Sequence, residues 1–218
     1  MTVSRSRGNA RDAQKERTRG ALVEAARGLL RDGAPPSVAE AAQKARVSRA
    51  TAYRYFPTHE SLLLEIGNIS PATEPIETLL GELSGDDAEA RLLALLDRFN
   101  PIVFAEEVPM RTALRTYLDT WLESRGRGER APPVREGRRM RWLDKALEPA
   151  RRTLTAAEWR RLRAALSLTL SIEAMVVMKD VCRIEDDAES VAVLRWAATA
   201  LLRAGLAESR AAKRRRAK

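Results

Sequence analysis

The stretch SVAEAAQKARVSRATAYRYF, residues 37–56, constrains the fold of this chain more than any other. Ser37 followed by Glu40 has the spacing of a capping box, in which the hydroxyl accepts the backbone N–H of the third helical residue and the carboxylate reaches back to the cap. A helix therefore starts at Val38. Val38, Ala41, Ala42 and Ala45 fall at i, i+3, i+4 and i+7, a face of small apolar side chains that lets a neighbouring helix come close. Ser48 is a second N-cap, Ala52 and Phe56 give the next helix an i, i+4 apolar stripe, and Val47 is placed to fill the angle between the two. Two short helices joined by a tight turn make a helix-turn-helix.

The remaining faces of the second helix suit a DNA groove. On a helical wheel Ala50 and Arg54 point furthest from the Ala52/Phe56 stripe, with Arg49, Thr51, Tyr53 and Tyr55 on the flanks. Arginine can donate two hydrogen bonds to guanine, threonine offers a methyl and a hydroxyl, and tyrosine hydroxyls reach phosphates. A helix presenting them fits the major groove of double-stranded DNA.

The run VSRATAYRYF followed by PTHESLL resembles the recognition helix and the start of the next helix in TetR-type transcriptional regulators. GALVEAARGLLR at residues 20–31, then Asp32 and Gly33, resembles that family's first helix. Specific motifs cover about residues 13–66; the rest is similar only as a string of helices. The resemblance implies that Ser48, Arg49, Thr51, Tyr53 and Tyr55 face DNA and that Ser37 sits near a phosphate; Arg54, from the helical wheel, and His59 complete the expected DNA-binding residues. Two positions depart from the family pattern: Arg46 stands where a turn glycine is usual, and His59 where lysine is common. A neutral imidazole is a weaker phosphate ligand than an ammonium group.

With 218 residues the chain can bury a sizeable core, and its richness in Ala, Leu, Glu, Lys and Arg predicts an all-α protein. No apolar run of eighteen is free of charge and the first residues lack a secretory apolar segment, so no membrane span and a cytoplasmic location are expected. The single cysteine, Cys182, and the single histidine leave no disulfide and no His/Cys metal site of the usual ligand count; no cofactor is expected. The net charge of +9 favours a polyanionic partner. It lies in blocks: residues 1–66 carry 12 basic and 7 acidic side chains, residues 67–124 carry 4 and 11, and residues 125–163 carry 13 and 5. The first block suits phosphate contact, and the acidic second block does not.

In chain order, residues 1–12 read as a basic flexible arm, either a solvated tail or a segment that reaches a neighbouring groove. A first helix is expected from Ala13 to Arg31, with Leu22, Ala25, Ala26, Leu29 and Leu30 inward, stopped by Gly33 and Pro35-Pro36. Thr58 caps a fourth helix whose Leu62, Leu63 and Ile66 turn inward. The DNA-binding domain is expected over 13–70, and a helical effector-binding and dimerisation domain over 71–208, before a basic tail over 209–218. Helices in that second domain are expected at about 75–83, 87–105 (kinked or split near Asn100 by Pro101), 109–125, 134–149, 156–182 and 187–207, with a loop over Ser124–Pro133. The apolar run Ala164–Met178 and the stripe Val191, Leu194, Ala198, Leu201, Leu202 resemble the family's dimer interface, so a homodimer through the last two of these helices is expected.

Large apolar residues of this second domain are core by default. The resemblance adds a small-molecule effector in a mostly apolar pocket, for which Phe104, Tyr117, Trp121, Trp142 and Glu173 are the candidates; Glu173 reads first as a charge paired with an arginine across the dimer or open to solvent, and only second as a ligand contact. Arg138, Arg139 and Arg141 are expected to pair with the acidic block. The AAKRRRAK tail either adds non-specific DNA affinity or is a solubilising end. No nucleophile–histidine pair and no Walker-type glycine loop supports an enzyme. The expectation is a DNA-binding transcriptional regulator, more in keeping with a repressor than an activator; the alternative is a helical adaptor with only non-specific DNA affinity.

Overall fold

The computed structural model describes residues 3–33, 36–68, 73–127 and 137–216, with side chains from Asp12 onward. Every regular element among them is helical. In chain order these are α1 (Val3–Arg31), α2 (Val38–Lys44), α3 (Arg49–Tyr55), α4 (His59–Asn68), α5 (Thr73–Glu82), α6 (Ala88–Ala105), α7 (Glu107–Gly126), α8 (Arg138–Ala146), α9 (Glu148–Arg151), α10 (Ala156–Ser167), α11 (Ile172–Val176) running into a π turn at Val177–Val181, and α12 (Asp187–Arg216). They form two compact units that do not follow the chain in order: one holds the described residues of 1–70 and 108–135, the other those of 71–107 and 136–218. The expected division near Ser70 and most of the expected loop before Pro133 lie outside the described residues. The part of that loop that is described, up to Gly126, belongs to α7.

In the first unit α1 packs on α2 and α4, and α2 on α3. Leu22, Val23, Ala26 and Leu30 of α1 are buried with Val38, Ala41 and Ala42 of α2, Ala52 and Phe56 around α3, and Leu62, Leu63 and Ile66 of α4. The helix starts at Val3 rather than Ala13, so from Val3 on the expected flexible arm is helical. Extending an existing helix costs far less than starting one, and the arm contains no proline to stop it. α1 ends as expected, with Gly33 at φ 104° accepting the left-handed turn. The unit is tied by polar contacts as well: the buried Arg27 guanidinium donates to the Ile66 carbonyl at 2.6 Å, and the half-exposed Arg19 pairs with Glu65 at 2.8 Å.

In the second unit α6 is central, packed by α5, α8 and α12. Asp87 caps it, accepting from the Glu89 and Ala90 amides at 2.9 and 3.1 Å. Pro101 does not split it: the helix is continuous to Ala105, and the proline is on its exposed side. Arg91 of α6 donates to the Leu83 carbonyl at 3.1 Å and to the Lys145 and Ala146 carbonyls at 2.9 and 2.8 Å, filling the C-terminal acceptors of α5 and α8.

Two helices differ from expectation. The segment expected as one helix over 156–182 breaks at Leu168–Ser171, because Ser167, Thr169 and Ser171 bond back to the carbonyls of Ala164, Leu166 and Leu168, and Ser171 then caps α11 by accepting from the Ala174 amide at 2.8 Å. The expected helix over 134–149 is shorter, ending at Ala146, with α9 restarting beyond Leu147. In the other direction α12 runs to Arg216, through most of the expected tail. By length and composition α12 matches a membrane span, with an apolar window of mean hydropathy 1.3. Its Leu194, Ala198 and Leu202 are buried, and it packs on α6 and α10.

Gly67 marks a close approach within the first unit. A Cβ added there would lie 1.8 Å from Tyr117 Oη and 3.1 Å from the Ala113 Cβ, so α4 meets α7 with no room for a methyl group. Gly67→Ala is expected to destabilise the unit by about 1–3 kcal/mol through overpacking, read from the urea midpoint. A destabilisation under about 0.5 kcal/mol would show that Tyr117 moves aside freely.

Candidate nucleic-acid interface

Both caps form. Ser37 Oγ accepts from the Glu40 amide at 3.1 Å while the Ser37 amide donates to Glu40 Oε2 at 2.7 Å. The Ser37 backbone N–H, and then its hydroxyl, hold the Glu40 carboxyl below the usual glutamate range. Ser48 Oγ accepts from the Thr51 amide at 3.2 Å and donates to Thr51 Oγ1 at 2.9 Å. Its hydroxyl proton is therefore already engaged, whereas the Thr51 hydroxyl keeps its own proton for an outside acceptor.

The turn between α2 and α3 closes on Arg46. The Val47 amide donates to the Ala42 carbonyl at 2.9 Å, the six-to-one bond of a Schellman cap, and Arg46 sits in the left-handed region at φ 55°. This is the conformation for which glycine is the usual residue; the arginine adopts it and leaves its side chain exposed.

On α3 the buried side is Ala52, with Phe56 at its end. Arg49, Ala50, Tyr53 and Arg54 are exposed, and Thr51 and Tyr55 half-buried. Arg54 lies over the Tyr55 ring at 5.8 Å, an arrangement that holds a guanidinium without using its hydrogen-bond donors. Arg49 has no protein partner among the described residues, so its donors face solvent.

His59 does something the sequence did not suggest. Its Nδ1 is 2.8 Å from the Pro36 carbonyl, which can only accept, so Nδ1 donates this bond. This bond ties the start of α4 to Pro36, just ahead of the Ser37 cap of α2. Arg27 and Arg19 were missed as well. Nothing in the spacing of cationic residues on α1 shows that one will meet the Glu65 carboxylate and the other the Ile66 carbonyl of α4.

The effector candidates are divided between the units. Tyr117 and Trp121 belong to the first, Tyr117 buried beside Gly67 and Trp121 exposed under Arg125, whose guanidinium lies 5.5 Å from the ring. Phe104, Trp142 and Glu173 belong to the second. Trp142 is buried edge-on to Phe99 at 5.9 Å and donates to Glu77 at 2.6 Å. Phe104 is buried with Lys179 5.8 Å from its ring, and Glu173 pairs with Arg139 at 3.9 Å within the same chain.

A capped helix-turn-helix whose second helix exposes Arg49, Ala50, Tyr53 and Arg54, braced by a helix before and a helix after it, has the form of a DNA-binding module. The family model described as "Bacterial regulatory proteins, tetR family" matches residues 22–66, the segment that contains this module. Residues 22–66 are thus similar to the DNA-binding domain of TetR-family regulators, and the match supports a DNA-binding transcriptional regulator of that type. No curated protein and no solved structure matches it.

Relieving the left-handed arginine is expected to stabilise the module. Arg46→Gly should raise the unfolding free energy by about 0.5–1 kcal/mol, visible as a higher melting temperature of the full chain. A lower melting temperature would mean that the Arg46 side chain contributes more than its backbone conformation costs.

Proposed function

We propose that the protein is a repressor that binds a palindromic operator as a homodimer and is released by a small-molecule effector. The observation that carries the reading is the exposed set Arg49, Ala50, Tyr53 and Arg54 on a helix whose opposite face is buried. Ser37, Thr51 and Tyr55 supply phosphate contacts at its borders, and Ser48 orients Thr51. His59 positions α4 in this reading. The partner being DNA, the protein acts in the cytoplasm, and its chemistry is binding rather than catalysis.

Dimerisation is supported by apolar surface on the second unit. Leu168, Val181 and Trp196 are 70%, 73% and 72% exposed, Val177 and Val193 are partly exposed, and only 22% of the apolar window of α12 is buried within the chain. Exposed apolar area of this kind marks an interface. The dimer sets two recognition helices in successive major grooves, about 34 Å apart. An effector weakens binding only to the extent that it prefers the dimer form with the wrong spacing. Among its candidate contacts, Glu173 is the half-exposed charged group.

Selection of bound fragments from random duplex DNA at two salt concentrations tests the reading. The expected result is an enriched palindrome with half-sites about one helical turn apart. Weak, salt-sensitive binding with no enriched sequence would favour the adaptor alternative instead. On the selected site Arg49→Ala should cost roughly 1–3 kcal/mol, with preference relaxed at one base position; equal weakening on every sequence would reduce Arg49 to a phosphate contact. Light scattering at micromolar concentration should give a dimer for the native chain and a monomer for Trp196→Glu. A monomeric native chain would remove the dimer from the reading.

A further inference from the structure

The C-terminal end of α12 is the most strongly charged surface of the second unit. Arg210, Lys213, Arg214, Arg215 and Arg216 are all exposed, and they stand on the last turns of a continuous helix, not on a tail. Those turns are held in place. Ser209 is buried and its hydroxyl bonds to Glu158 at 3.3 Å, Lys213 donates to the Thr153 carbonyl, and Arg161 pairs with Glu208. The turn from α9 into α10 is thereby fastened beside the end of α12, and it brings two more exposed cations, Arg151 and Arg160.

Acidic partners are already taken. Arg152 pairs with Asp86 at 2.5 Å and with Glu148 at 3.6 Å, Arg203 is bidentate on Glu89, and Arg161 has Glu208. Arg151, Arg160, Arg210, Arg214, Arg215 and Arg216 are left with no acidic partner among the described residues. Favourable interaction with the helix dipole accounts for one or two cations in a last turn, not for six arginines gathered from three elements. The adjoining cleft of about 600 Å³ mixes Asp86, Asp87 and Glu89 with Arg203, Arg210 and Lys213, so its charges are balanced and no small anion is favoured there. The excess lies with Arg151, Arg160, Arg214, Arg215 and Arg216, which are exposed and do not line the cleft.

We propose that this face is a second, sequence-independent contact with the phosphate backbone of DNA. The proposal rests on the DNA-binding function of the first unit. Guanidinium groups take phosphate oxygens two at a time, and four of the five cations at the end of α12 are arginine. A membrane surface fits less well, since a helix lying in a lipid interface needs an apolar face and residues 207–216, AESRAAKRRR, offer only alanine.

The test is the salt dependence of duplex binding by the full-length chain carrying Arg210→Gln, Arg214→Gln, Arg215→Gln and Arg216→Gln together, beside the native chain and Arg49→Ala. These positions are exposed, and an unchanged melting curve checks the fold. Each phosphate that is no longer neutralised should lower the slope of log K against log salt by about 0.9, so the slope of the quadruple variant is expected to be smaller by about 2–4 on every duplex, while it ranks sequences as the native chain does. A slope within about 0.5 of native overturns the proposal. So does a native slope accompanied by abolished binding to phosphatidylserine vesicles, which would assign the face to acidic lipid. If the native chain prefers one sequence and the slope does not move, this proposal alone fails. If the slope falls but no sequence is preferred, the backbone contact stands and sequence reading by α3 fails.

Discussion

Helices of seven residues do not hold their shape alone in water, because the cost of nucleation is spread over too few hydrogen bonds. Both helices of the reading module, α2 and α3, are of this length. The DNA-facing surface therefore depends on burial of Val38, Ala41, Ala42, Ala52 and Phe56 in the core that α1 and α4 complete. Side-chain caps at Ser37 and Ser48 start each helix at a defined residue, and burial keeps it there. With its backbone fixed in this way α3 needs no further contact on its outer side, which frees Arg49, Tyr53 and Arg54 for another molecule.

Polar contacts across the first unit serve position more than stability. Arg27 is buried at 2% exposure and spends a guanidinium donor on the Ile66 carbonyl, one of the acceptors that the end of α4 leaves open. Glu24, beside it at 3.4 Å, offsets part of the cost of burying the charge. His59 does the corresponding task at the other end of α4, holding the Pro36 carbonyl. α4 is thus tied at both ends to the residues that frame the reading helices, and Gly67 lets it lie directly against Tyr117 of α7.

The block pattern of charge becomes a pattern of pairs in the second unit. Acidic residues of the 67–124 block meet arginines from far along the chain: Asp97 with Arg195, Glu89 with Arg203, Asp86 with Arg152. Such exposed pairs contribute little stability individually, but they fix which face of α12 lies on α6. The basic block at 125–163 is answered in part locally, Arg163 by Asp144 and Arg139 by Glu173. What the pairing leaves over is the arginine surface around the end of α12.

The features legible in the sequence were those written in local spacing: the capping box at Ser37 and Glu40, the cap at Ser48, the inward stripe of α4 and the glycine stop of α1. Such signals involve residues three or four apart, whose geometry a helix dictates in advance. Arg46 was legible as an oddity only through the family resemblance, which places glycine at that turn; the structure then shows it in the left-handed region. Long-range partners were not legible: Arg27 with Ile66 and Lys213 with Thr153 are far apart in sequence, and only the packed backbone decides which carbonyl a long cationic side chain meets. The break at Leu168–Ser171 was hidden because hydroxyl side chains bond to a helix backbone or end it according to what packs around them. Sequence alone determined that this chain carries a helix-turn-helix and which residues of α3 look outward; tertiary structure decided that α7 groups with the DNA-binding unit, that His59 is a brace, and that the basic tail is the end of a helix. The division follows from range: local hydrogen bonds and periodicity are encoded within a few residues, whereas burial and charge pairing are settled by every segment of the chain at once.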